Sequence, residues 1–143
     1  MDPGGPSTWV YTILALGNRN VKEASSLIES MAQKAFPGAF VQSVLFVKHA
    51  MSASRDEALS AVTPELLATA RWDEVLAWLT ASGYALLDEK QDALRWLEHA
   101  VARGFINYPF LAKFDPFMQN LRGEPRFEQL MQRVKREWEG FEV

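Results

Sequence analysis

"ASGYALLDEKQDALRWLEHAVARG", Ala81 to Gly104, reads as the close of one helix, a polar turn and a second amphipathic helix stopped by glycine. Within it Ala93 stands 35 positions after Ala58 of "RDEALSAV", which itself stands 34 after Ala24 of "VKEASSLI". Alanine is abundant, 18 of 143 residues, so the joint pattern around these three carries the register. Each follows an acid (Glu23, Glu57, Asp92), and each precedes by four residues a branched aliphatic side chain (Ile28, Val62, Leu97). A small residue early in the second helix of a pair lets the two helices approach closely, and the next pair then stacks on the exposed face. No single pair buries its own apolar face, which is why such units come in series.

Outward from that stretch, three- and four-residue apolar spacing recurs and no long alternating run occurs, so the whole chain is expected to be helical. The expected segments are Thr8 to Leu16, Val21 to Lys34, Ala39 to Met51, Arg55 to Val62, Pro64 to Ala70, Trp72 to Leu87, Gln91 to Ala102, a short turn near Pro109 to Lys113, and Pro125 to Glu139. Gly17 supplies a helix end, and Asn20 with Glu23 forms a capping-box pattern, as Ser54 does with Glu57. Thr63 before Pro64 is a cap followed by the helical position that best tolerates proline. Asp115-Pro116 breaks any long helix in the tail.

Composition narrows the function classes. Apolar residues make up 48% and charged residues 23%, the mix of an ordinary folded domain. The formal charge of −3 offers no broad attraction to nucleic acid or an anionic membrane. The absence of cysteine excludes disulfides, thiolate metal sites and cysteine nucleophiles. "MDPGGPST" has neither the basic start nor the apolar core of a secretory signal, no run approaches a membrane span, and a cytoplasmic protein is expected. Residues 1–7 read as a flexible leader, 8–107 as three helical hairpins and 108–143 as a closing turn and helix.

These hairpins resemble the tetratricopeptide repeat (TPR), a 34-residue helix-turn-helix. The match is best from Glu74 to Asn107, where Ala81, Tyr84, Ala93, Leu97 and Ala100 occupy the family's packing positions. The family's early tryptophan and leucine positions hold Ala77 and Thr80, one residue away from Trp78 and Leu79. The unit from Phe40 to Ala70 keeps Ala58 but carries Phe46 and His49 where a small residue and a tyrosine belong, and the unit from Ser7 to Pro37 keeps Ala24. "DPFMQNLRGEPRF" resembles the segment that closes TPR arrays at the C-terminal ends of bacterial signalling proteins such as serine/threonine kinases and nucleotide cyclases. That likeness implies a fragment or free-standing relative of such a tail, with Phe105, Tyr108, Phe110, Phe114, Phe117 and Phe127 covering the open end of the stack.

The resemblance implies an α-α superhelix of about three repeats plus a C-terminal capping segment. Its first helices would line a concave groove with Trp9, Ile13 and Leu16, then Phe40, Ser43, Val47 and Met51, then Trp78, Ser82 and Leu86. TPR domains that hold acidic chaperone tails place lysine, asparagine and arginine there, and none stands at the equivalent positions here. An apolar peptide or helix is the implied partner, with Trp9 and Trp78 as anchors. Self-association into a homo-oligomer, end to end or groove to groove, is the alternative, and a small helical enzyme whose acids converge only in space is the remote one. The sequence lacks G-x-S-x-G, glycine-rich phosphate loops and H-E-x-x-H, and it suggests neither cofactor nor metal. His49 is expected at a packing position and His99 on an exposed face, while the "RVKRE" cluster is expected to complement a helix dipole.

Overall fold

The computed structural model describes residues 7–141, and every regular element among them is helical. Eight α-helices follow in order: α1 (Thr8–Gly17), α2 (Val21–Gln33), α3 (Gly38–Met51), α4 (Arg55–Ser60), α5 (Pro64–Ala70), α6 (Glu74–Leu86), α7 (Lys90–Ala102) and α8 (Pro125–Phe141). A π-helical turn at Phe110–Phe114 and a 3-10 turn at Gln119–Leu121 lie between α7 and α8. Apart from Ser7, which begins α1 without a side-chain cap, the expected leader lies outside the described residues.

Three hairpins organise the chain: α1 pairs with α2, α3 with α4, and α6 with α7. Their first helices contact one another in sequence, α1 on α3 and α3 on α6. The three alanines that set the register are equivalent in structure. Ala24, Ala58 and Ala93 are fully buried, and each donates its backbone N–H to the helix-capping residue four positions earlier, Asn20, Ser54 or Glu89. Glu128 repeats that bond to Glu124 in α8, 35 residues after Ala93. Left-handed backbone recurs at the same interval, at Arg19, Ala53, Asp88 and Gly123. At the first three, the next residue closes the preceding helix by donating its N–H five positions back, to Ala15, His49 or Tyr84.

Ion pairs follow this period as well. Arg55, first residue of α4, pairs with Glu89, the cap of α7, and Lys90, first residue of α7, pairs with Glu124 before α8 at 2.7 Å. Trp9 in α1 donates its indole N–H to the Ser43 hydroxyl 34 positions on, and Asn120 donates its amide to the Ala85 carbonyl 35 positions back. The segment after α7 thus extends the periodic contacts.

Local chemistry explains the boundaries and three departures. Thr63 caps α5 by accepting from Leu66 N–H, as the sequence indicated. Asp73 accepts from Val75 and Leu76 N–H, so α6 starts at Glu74 and Trp72 lies outside it. Gly17 stays helical, and Arg19, whose guanidinium bonds Pro116 O at 2.9 Å, takes the left-handed position instead. Ser54 makes no side-chain cap, and the Glu57 carboxylate lies 3.5 Å from His49 Nδ1 instead of returning to the cap. Gly104 ends α7 with φ +112°, a conformation that favours glycine.

The core is densest around α6, where every residue from Leu76 to Gly83 is buried. Phe46, the bulky residue at an expected small position, is accommodated by Gly83: a Cβ there would lie 2.4 Å from the Phe46 ring. Tyr84 meets the same ring edge-on at 5.1 Å. In α8, Phe127, Leu130, Met131 and Val134 form one buried stripe, with α7 as its helical neighbour. The "RVKRE" cluster lies before the last turn of that helix, and Arg133 and Lys135 pair with Glu137 and Glu139 rather than with terminal carbonyls.

Candidate functional site

The residues proposed to line a groove occupy two kinds of place. Trp9, Ile13, Phe40, Met51 and Leu86 are half-buried at the margin of the core, whereas Leu16, Ser43, Val47, Trp78 and Ser82 lie inside it. Ser43 holds the Trp9 indole and returns its own hydroxyl to Phe40 O, and Ser82 bonds Trp78 O within α6. Trp9 and Phe40 meet edge-on at 4.8 Å.

Trp78 is only 5% exposed because the segment after α7 covers it. Phe105 stacks on its ring at 5.2 Å, and Phe110 and Phe117 approach at 5.8 and 5.7 Å. Its indole N–H donates to Asp115 Oδ2 at 2.7 Å, while Asp115 Oδ1 accepts from Phe117 N–H. An open anchor role is thereby replaced by an internal one. Burial pushes the Asp115 carboxyl up to about 6, against the opposing pull of the Trp78 and Phe117 donors and of nearby Arg122. Arg122 also fastens the turn by donating to Ala112 O and Asp115 O.

What stays open is the seam between α1 and this folded-back segment. A cavity of about 280 Å³ lies there, its walls including Ile13, Leu14, Trp78, Phe110, Phe114 and Pro116. Its two lips are apolar and exposed, Leu14 at 56% and Phe114 at 71%, and Val10 and Tyr11 continue the exposed stripe along α1. Arg19 ties the far end of α1 across to Pro116. Exposed apolar surface that lines a concavity marks an interaction site more than scattered apolar residues do.

Leu14 and Phe114 were not among the residues read from the sequence as groove-lining. Phe114 was grouped with the aromatics expected to cover the stack, of which Phe117 and Phe127 are buried and Phe105, Tyr108 and Phe110 half-buried. The available signal for Leu14 was α1 itself, "TWVYTILALG", which is apolar on all sides and therefore calls for cover on all sides.

The histidines are engaged separately: His49 faces Glu57, and His99 Nε2 bonds Arg71 O at 2.8 Å while its ring meets Trp96. Among the described residues no group of three or more His, Asp or Glu side chains is placed to hold a metal ion, and no helix is long and apolar enough to cross a membrane. Set against known proteins, the chain matches no family model, no curated protein and no solved structure.

Proposed function

We propose that this chain is a non-enzymatic protein-interaction module, a TPR-like superhelix of about three hairpins closed by its C-terminal segment. It binds an apolar helix or extended apolar peptide along the seam of Ile13, Leu14, Phe110 and Phe114. The observation that carries the reading is the pair of exposed apolar lips, Leu14 and Phe114, over a cavity of about 280 Å³. The recurrence of buried alanines, left-handed turns and ion pairs at 34 to 35 residues supports the TPR-like part. In the register of such a stack, the half-buried Trp9, Phe40, Met51 and Leu86 extend the apolar wall beyond the seam. Large side chains that enter a preformed apolar concavity supply most of the binding energy in helix-in-groove recognition.

The test is capture of partners from the native host with the wild-type chain and with the double variant Leu14→Glu/Phe114→Ser. Both side chains are exposed, so helicity and Tm stay unchanged while the captured partner is lost. Undiminished capture removes this surface from consideration. Self-association is the second reading, favoured by the exposed Val10, Tyr11 and Leu14 on the first helix of the series. Under it, sedimentation of the wild-type chain shows a concentration-dependent dimer that the same double variant abolishes.

A further inference from the structure

Away from the seam, α5, α6 and α7 border a second, open-mouthed cavity of about 340 Å³, lined by Leu67, Tyr84, Trp96 and His99 with the exposed Arg71 and Arg95 at its rim. Its polar lining is rich in donors, and no carboxylate lines it. Arg71 makes no ion pair among the described residues. Arg95 has a single partner, Asp92 at 2.9 Å, one helical turn away. A guanidinium carries five N–H donors, so that surface pair leaves Arg95 free to bind a second acceptor.

Trp96 supplies an independent observation. The residue is 8% exposed, yet its buried indole N–H has no hydrogen-bond partner. A buried donor left unsatisfied is uncommon and costly; this one has no accessible surface, so a ligand acceptor meets it only when the ring turns toward the cavity, and that contact removes the cost. Burial, with Asp92 adding to it and Arg95 opposing, raises the Tyr84 hydroxyl above its ordinary range, so it remains a donor at neutral pH. His99 is already committed through Nε2 to the Arg71 carbonyl, which Arg103 Nε also reaches at 3.0 Å, and these two bonds fix the backbone from which Arg71 projects.

We propose that this cavity binds a small organic carboxylate, its oxygens held by Arg71, Arg95 and the Trp96 indole N–H, its apolar body against Leu67 and the Tyr84 and Trp96 rings. Two guanidinium groups suit the planar, two-oxygen geometry of a carboxylate. The aromatic and aliphatic walls favour an anion with an apolar stem over a strongly hydrated inorganic one. The volume lies at the small end of the range for ligand sites, which fits an acid of one ring or a short chain.

Indole N–H resonances of the full chain, ¹⁵N-labelled, provide the test, since five tryptophans give five signals and Trp96→Phe identifies the relevant one. Phenylacetate at neutral pH is expected to shift the Trp96 signal saturably. In Arg71→Gln/Arg95→Gln the dissociation constant rises at least tenfold with the rest of the spectrum preserved. Either single substitution keeps the comparison readable should the double variant lose dispersion. Absence of a saturable shift, an equal response to inorganic phosphate, or an unchanged affinity in the arginine variants would overturn the assignment.

Discussion

α1 and α6 hold the same place in their hairpins, are both predominantly apolar, and end in opposite circumstances. α6 has α3, α5 and α7 around it and the folded-back aromatic segment over Trp78, so eight successive residues are buried. α1, the first of the described helices, contacts α2 and α3 and leaves Val10, Tyr11 and Leu14 exposed. Apolar residues on every side of a helix thus record how many neighbours it can use, and among the described residues α6 has more of them than α1. The surplus on α1 is the surface on which the proposed function rests.

The sharpest contrast lies between Trp78 and Leu14. Trp78→Ala removes a ring that organises three aromatic neighbours and takes the donor from Asp115 Oδ2, and is expected to destabilise the fold by about 3–5 kcal/mol. Leu14→Ala, at an exposed position, is expected to stay within about 0.5 kcal/mol. Urea unfolding of the two variants checks this, and comparable losses would erase the distinction between the covered and uncovered helices.

The cover over α6 carries its own pH dependence. Burial raises Asp115 from 3.8 to about 6, so the folded state holds this proton more tightly than the unfolded chain does. Its contribution is therefore complete below about pH 4 and lost as pH rises through about 6, a difference of roughly 3 kcal/mol. Unfolding free energies of wild type and Asp115→Asn measured from pH 4 to 7 should change relative to each other over that window. Parallel profiles would show that the carboxyl is not buried as described.

A smaller effect reports on the α3–α6 contact, the closer of the two packings that α3 makes with the first helices on either side of it. Gly83→Ala forces a methyl into the Phe46 ring and is expected to cost about 1–3 kcal/mol. Adding Phe46→Leu should recover part of that loss, and a thermodynamic cycle over the two positions measures it. Strictly additive effects would mean that the two residues do not share the space between the helices.

Much of the framework was legible in the sequence because it is local. The Thr63-Pro64 start of α5, the Gly104 stop and the Asp115-Pro116 break all follow from backbone preferences acting within a few residues, and the alanine register was legible because the local pattern around each alanine repeats. Other turns were not legible: Arg19, Ala53 and Asp88 adopt left-handed backbone without glycine, held there by closing bonds to the preceding helix. The site was less legible still, since it depends on distant contacts. Register alone placed Trp78 on an open wall, yet its cover comes from Phe105, Phe110, Asp115 and Phe117, the nearest of them Phe105 on the far side of α7, and the seam is tied by a bond from Arg19 to Pro116 across 97 positions. Phe46 looked misplaced until Gly83, on the next hairpin, supplied the missing space.

The proposal that recognition takes place along the α1 seam is tested most directly by photo-crosslinking from single positions. A benzophenone side chain at Leu14 or Phe114 should trap the same partner in host extract, or a second copy of the chain. The same group at the exposed polar positions Ser26 of α2 and Gln132 of α8 should trap neither. Products as abundant from Ser26 and Gln132 as from the seam, or none from the seam at all, would contradict the account.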